Sequence, residues 1–391
     1  MKAVTKVSDA PSYLDTAAAV ERFVAQIGDT RMLAVDTEGA SFHRYHDRIY
    51  LLQLSTPERH AIIDPLRAGN LDPLRTLVES PDVEVVFHDA DYDLRLLHQD
   101  YGWQVGNIFD TRIAAQLLGI RAFGLAALLE QNFAVRLDKR FQRADWSMRP
   151  LSQDMLSYAA QDTMHLLALR ERLRDELMRR GRWDWATEEF ARLEGTRWDE
   201  EDPGGAFLRI KGARDLTRRE LAVLRELVPW REEVARELDR STFRVVANEV
   251  LLELSRRGPS SKAELAAIKG MPRGMVEARG AALIAAVQRG LKVAEGELPR
   301  FPKAPRWARD PDFDDRVNRL RQVRDAKARE LDLEPGVLCA RERLEAIARR
   351  KPDTLEDLAE VPELRRWQID VLGEELLKAM MPPGARRGNG A

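Results

Sequence analysis

Asp36, Glu38, Asp93, Tyr158 and Asp162 are the residues of this 391-residue chain whose types and spacing could do chemistry. Asp36-Thr37-Glu38 follows the apolar run Met32–Val35. Asp93 opens an apolar segment just after Val83–Phe87 and His88. Tyr158-Ala-Ala-Gln-Asp162 lies in a long helical stretch. Residues two apart on a strand face one side, so Asp36 and Glu38 project together. Residues four apart on a helix share a face, so Tyr158 and Asp162 do too. Four carboxylates cannot share one pocket ionised unless cations neutralise them. Hard oxygen donors in that number suit Mg²⁺ or Mn²⁺. Two such ions, about 3.5–4 Å apart, are a common device for in-line attack on a phosphodiester.

Each residue also has a plainer reading. Asp36 and Glu38 could cap a segment at a strand end. Asp93 could be a helix-start carboxylate favoured by the dipole, with Asp89 and Asp91 as rivals in the same stretch. Tyr158 could be core. Asp162 has apolar-rich surroundings, where an unpartnered carboxylate is costly. His88 either contacts a nucleotide or satisfies a turn. Asp110-Thr111 precedes a helix and caps it. Trp146 and Trp183 read as core or junction residues.

The elements that must position these groups follow from periodicity. Strand-like runs fall at Met32–Val35, Ile49–Leu54, His60–Ile63 and Val83–Phe87, with a short fifth at Asn107–Phe109. An amphipathic stretch at Thr16–Ile27 precedes them. Helical patterns intervene at Leu71–Glu79, Asp91–Gln99, Thr111–Leu118, Leu125–Asn132 and Ser152–Met178. Such alternation predicts an α/β domain with a mixed sheet. Beyond Trp183 the pattern is almost entirely helical, and it repeats. Ala235-Arg-Glu-Leu-Asp239 recurs at Ala328-Arg-Glu-Leu-Asp332, 93 residues on. Arg256-Arg257-x-Pro259 matches Arg349-Arg350-x-Pro352 at the same offset, as Leu265 matches Leu358. One register for a word, a turn and an apolar position argues for duplication into tandem domains. The expected limits are 1–200 for the α/β domain, 207–292 and 312–381 for the helical copies, a linker at 293–311 and a disordered tail at 382–391.

The formal net charge of −2 conceals the distribution. Residues 207–292 carry +7 and residues 312–380 carry −3, leaving −6 elsewhere. An acidic site beside a basic module suits metal in one and phosphate in the other. The single cysteine, Cys339, excludes an internal disulfide framework and a cysteine-based zinc site. No apolar run is long enough to span a bilayer, and the start lacks a secretory h-region, so the expectation is a cytoplasmic protein.

The motifs resemble the tyrosine-type branch of the DEDD exonuclease superfamily: Val-Asp36-Thr-Glu38, His88-x4-Asp93 and Tyr158-x3-Asp162. Ser157 stands where the histidine-type branch has its histidine. Leu51–Ser55, Ile62–Leu66, Phe109–Gly119 and Asp145–Ser152 are similar to the ribonuclease D family within it. Both helical copies resemble the HRDC domain, a small nucleic-acid-binding module. The first has Val228-Pro-Trp230-Arg231 and Ile268-Lys-Gly270-Met271-Pro272, where Gly270 lets backbone N–H groups approach a phosphate. The second has Val323 for Trp230 and Glu363 for Gly270.

The resemblance implies an α/β ribonuclease H-like exonuclease domain with a mixed sheet, followed by two small all-α HRDC-like domains. It implies a metal-dependent 3′-5′ exoribonuclease that releases nucleoside 5′-monophosphates and trims tRNA precursors and other structured RNA. The metal ligands would be Asp36, Glu38, Asp93 and Asp162, holding two Mg²⁺ or Mn²⁺ ions; only Asp93 preserves the His-x4-Asp spacing. Tyr158, a poor bulk base near neutral pH, would orient the attacking water. His88, Trp230 and Gly270 would contact nucleic acid. No membrane or obligate protein partner is implied. A DNA exonuclease of the same branch, and a catalytically silent nucleic-acid scaffold, are the alternatives.

Overall fold

The computed structural model describes residues 11–199, 202–302 and 310–381. The expected tail at 382–391 lies outside the described residues. Six strands form one mixed sheet: β1 (Ser12–Leu14), β2 (Met32–Glu38), β3 (Leu51–Ser55), β4 (His60–Ile63), β5 (Glu84–Phe87) and β6 (Ile108–Asp110). Their order is β1-β4-β3-β2-β5-β6. β3 is antiparallel to both β2 and β4; the other pairings are parallel. β1 was not expected from the sequence. Three residues carry no readable alternation, and β1 is defined only by its pairing with β4 from Ser12↔Ala61 to Leu14↔Ile63.

Alternation along β2 and β3 divides the core into two layers. Leu33, Val35, Leu52 and Leu54 face a layer built with α1 (Ala17–Ile27), α2 (Asp72–Val78) and α3 (Asp91–Tyr101). The opposite face is covered by α4 (Thr111–Leu117), α5 (Leu125–Phe133), α6 (Gln153–Met164), α7 (Leu166–Arg179) and α8 (Trp183–Leu193). The sequence predicts one helix over Ser152–Met178, but the structure breaks it at His165. The break lets α6 lie across β2, β3 and β4 while α7 turns onto β2 and β5.

The first helical copy comprises α9 (Arg218–Leu238), α10 (Asn248–Arg257), α11 (Lys262–Ala266) and α12 (Arg273–Leu291). The second comprises α13 (Phe313–Glu330), α14 (Arg341–Arg350), α15 (Leu355–Ala359) and α16 (Arg366–Met380). The duplication extends to the backbone. Asp239, Gly258 and Gly270 take positive φ of 41°, 56° and 85°; Asp332, Lys351 and Glu363, each 93 residues on, take 52°, 53° and 65°. Left-handed backbone is disfavoured for residues with a Cβ, so these matched turns are inherited geometry rather than local preference.

The copies attach differently. The first keeps its own core around Leu224, Leu251 and Leu283. The second shares one continuous core with α4, α5, α7 and α8, in which Leu320, Leu344 and Leu372 join Ala114, Leu128 and Leu169. Gly119, after α4, lies so close that an added Cβ would stand 2.0 Å from the Asp332 carbonyl oxygen. No helix among the described residues is long and apolar enough to cross a membrane.

Candidate active site

The site begins where β2 outruns its neighbour. β5 pairs with β2 only from Met32 to Ala34, whereas β3 follows it to Glu38. The Thr37 N–H therefore needs a partner from outside the sheet. Asp93, in the first turn of α3, supplies it: one carboxylate oxygen accepts the Thr37 N–H at 3.0 Å and the Thr37 hydroxyl at 2.5 Å. Thr37 sits inside the first motif, yet nothing in the sequence marks it as the residue that holds Asp93.

Asp110 braces that turn. Its side chain accepts the Arg112 and Ile113 N–H groups at 2.8 and 3.0 Å, capping α4 as the sequence predicts. It also accepts the Ala90 N–H at 2.8 Å, fixing the start of α3. His88 lies in the same turn. Its Nδ1 is 2.9 Å from the Thr111 hydroxyl, which donates to the Phe87 carbonyl. The hydroxyl proton is thus committed, so Nδ1 is the donor. Burial holds the imidazole at about 4, neutral at physiological pH. Of its two readings, this geometry matches the turn.

Asp36 and Glu38 face α6, as strand alternation predicts. One carboxylate oxygen from each lies within 4.8 Å of the others and of one from Asp162. Ser152 caps α6 through the Met155 N–H at 3.2 Å. Ala159 and Ala160 let the helix settle on Leu51 and Ile62, and the Ser55 hydroxyl donates to Thr163 Oγ1 at 2.8 Å. The Tyr158 ring meets Phe141 edge-on at 5.7 Å and Trp146 at 6.0 Å. Trp146 is a buried buttress, as expected of a core residue.

Burial raises every carboxyl in the cluster, and mutual repulsion adds to it at Asp36 and Glu38. Asp36 is raised by burial and then by Asp93, Asp162 and Glu38; Glu38 by burial, Asp162 and Asp93. Burial pushes Asp93 up to about 7 against the opposing bonds from Thr37, and Asp162 to about 7. Tyr158 is raised by burial, then by Asp162, Glu38 and Asp36. Without a counter-cation the cluster holds protons near neutral pH. Clustered hard oxygen donors of this kind fit divalent metal.

Gln53 is a residue the sequence does not single out. It is fully buried on β3, directly opposite Asp36 and between Leu51 and Ser55 on the α6 face. Neither its amide nitrogen nor its oxygen has a hydrogen-bond partner. Such an orphaned group is rare and costly.

The other expected contacts separate. Gly270 is exposed, in left-handed backbone just before α12. Trp230 is a correction: it is only 6% exposed, inside the core of the first copy, because α9 turns that face onto its own bundle. That leaves almost none of its surface open to nucleic acid.

Comparison with known proteins decides the family. Residues 11–178 match a family described as 3′-5′ exonuclease, and residues 220–287 and 313–380 each match the HRDC domain. The chain is 32% identical over 350 residues to ribonuclease D of Granulibacter bethesdensis, covering 88% of this chain and 86% of that one. It is 30% identical to ribonuclease D of Gluconacetobacter diazotrophicus, over 94% and 92% of the two chains. The chain belongs to the ribonuclease D family. The crystal structure of Escherichia coli RNase D, described as an exoribonuclease involved in structured RNA processing, superposes with a TM-score of 0.73. It is 26% identical, and the match covers 95% of this chain and 98% of that one. The two HRDC matches are themselves 93 residues apart at both ends, the register of the internal repeat. As a ribonuclease D, the chain is a 3′-5′ exoribonuclease.

Proposed function

We propose that this ribonuclease D removes nucleoside 5′-monophosphates one at a time from the 3′ ends of tRNA precursors and other structured RNA. The carboxylate cluster between β2 and α6 is the observation that carries this reading. Asp36, Glu38, Asp93 and Asp162 would hold two divalent cations, Mg²⁺ or Mn²⁺, with Asp36 shared. Those cations supply water activation and neutralise charge on the departing 3′-oxygen. Thr37 fixes the Asp93 carboxylate by two hydrogen bonds, so that ligand is placed before any cation arrives. Tyr158 retains its proton, because burial and then the neighbouring carboxylates oppose its ionisation. It therefore orients the attacking water by a hydrogen bond and does not serve as a strong base.

The first HRDC copy, at +7, holds the RNA body electrostatically, with Gly270 admitting a phosphate to the start of α12. The limits 1–200, 207–292 and 312–381 serve as working domain boundaries. Matched end-labelled RNA and DNA oligonucleotides, digested with Mg²⁺, Mn²⁺ or EDTA, test the reading. The expected result is metal-dependent release of 5′-mononucleotides from the 3′ end of RNA. Release from DNA alone, or RNA binding without release, overturns it.

A further inference from the structure

The loop between β2 and β3 leaves the catalytic strand at Glu38 and ends up against the first HRDC copy. Gly39 lies close over Tyr92, the neighbour of Asp93: an added Cβ would be 2.7 Å from its hydroxyl. Three residues later the Phe42 carbonyl accepts the Ser241 hydroxyl at 2.9 Å, and the His43 carbonyl accepts the Ser241 N–H at 3.3 Å. These bonds bring Phe42 beside Phe243, with ring centroids 5.1 Å apart. Both rings are large apolar groups left 44% exposed. A pair of phenyl rings shared by two domains would ordinarily be buried.

One cation lies on the pair, and two more arginines belong to the adjoining backbone. The Arg244 guanidinium lies over the Phe42 ring, 4.8 Å from its centroid. Arg240 precedes Ser241, and the backbone carbonyl of Arg143 is 3.0 Å from His43 Nε2. Arg143, Arg240 and Arg244 are exposed, and none has a carboxylate partner among the described residues. Arg44 in the same loop, by contrast, is paired with Asp145 and Asp239. The seam opens into a cavity of about 1010 Å³ between the two domains. Glu232 and Glu233 on α9 line part of it, so the side favourable to a polyanion is the arginine-bearing aromatic rim.

Half-exposed aromatic rings flanked by arginines that lack carboxylate partners are the chemistry that accepts unpaired nucleotides: bases stack on rings and phosphates meet cations. We propose that Phe42 and Phe243 form a stacking step for unpaired RNA upstream of the two 3′-terminal nucleotides, with Arg143, Arg240 and Arg244 holding its phosphates. The step lies on the short path of chain from Glu38 to the basic first copy. This inference rests on the exoribonuclease reading of the carboxylate site.

The test uses the full-length protein and two substrates, a dinucleotide and a short unstructured oligoribonucleotide. Binding is measured by fluorescence anisotropy in EDTA, and turnover with Mg²⁺. Phe42→Leu keeps apolar volume but removes the ring face; Phe42→Trp keeps the face. One lost stacking contact should weaken binding of the oligonucleotide roughly tenfold. Phe42→Leu and Phe243→Leu should show that loss, Phe42→Trp should not, and turnover of the dinucleotide should be unchanged in all three. Wild-type affinity in both leucine variants would mean that the rings only pack the domains together, and would overturn the inference. So would equal affinity of this surface for polyglutamate, which would mark it as a protein contact. If wild type releases no mononucleotide from either substrate, the catalytic reading fails first, and the binding arm still reports on the rings.

Discussion

Glu188 of the exonuclease domain accepts the backbone N–H groups of Arg366 and Trp367, at 2.7 and 3.0 Å, at the start of α16. Subtracting the 93-residue register gives Arg273 and Gly274, the start of α12 in the first HRDC copy. The second copy has thus spent on an internal carboxylate the donors that the first leaves exposed. Glu189 strengthens the clamp by accepting from Arg365 and from the Trp367 indole, and Trp185 stacks on Trp367 at 4.8 Å. Glu363, the counterpart of Gly270, is drawn to Arg192.

RNA affinity should therefore be carried unequally. Arg273→Ala should weaken binding and lower the slope of log affinity against log salt by about one, as for a lost phosphate contact. Glu188→Ala should leave that slope alone and cost about 1–2 kcal/mol of stability, the usual loss of a helix cap. Urea unfolding and a salt titration separate the two. A flattened salt slope in Glu188→Ala would contradict the assignment.

Asp36→Asn should nearly abolish turnover while RNA binding persists. Differential scanning fluorimetry should also show that Mn²⁺ raises the melting temperature of the wild type by mass action, and does so less for the variant. Near-normal hydrolysis by folded Asp36→Asn would defeat the shared-ligand role.

Tyr158→Phe keeps the ring between Phe141 and Trp146 and removes only the hydroxyl. The catalytic rate should fall by about 10²–10⁴, the range for a positioned proton-handling group. The melting temperature should hardly move. The reverse pattern, a destabilised protein with normal activity per folded molecule, would make Tyr158 a packing residue.

The carboxylates also set a pH dependence for the metal-free protein. Asp93 and Asp162 titrate near 7 when folded, against roughly 4 when unfolded. Between those values the folded state holds protons that the unfolded state has released. Stability in EDTA should thus be greatest below about pH 4 as far as these groups are concerned, and fall as pH rises toward 7. Asp162→Asn should flatten the decline. Added Mg²⁺ should stabilise more at pH 8 than at pH 5, because fewer protons compete. Calorimetric melts at stepped pH read all three.

Much of this site was legible in the sequence because spacing along one element fixes a shared face. Asp36 with Glu38, and Tyr158 with Asp162, needed only the periods of a strand and a helix. What joins separate elements left no such trace. Thr37 holding Asp93, Gln53 lying opposite Asp36 and Asp110 bracing two helices depend on register and crossing that no local pattern encodes. Trp230 was misplaced for a related reason: the motif located it on a helix but not on a face. The repeat was legible as a register, but the way each copy attaches was not. A carboxylate 178 residues from its partner is invisible to periodicity.

The core shared by α4, α5, α7 and α8 with the second HRDC copy has a consequence for how this enzyme is made. Chains leave the ribosome from the amino end, and domains ordinarily fold as they emerge. Here the catalytic motifs end at Asp162, yet the apolar layer behind them is closed by Leu372 and Leu376 in the last described helix. That shared layer is therefore fully covered only once α16 has been synthesised. A ribosome that stalls between the two copies leaves a protein with every catalytic residue and an open core. Such a chain would expose the apolar residues of α4, α5, α7 and α8 that the second copy otherwise covers.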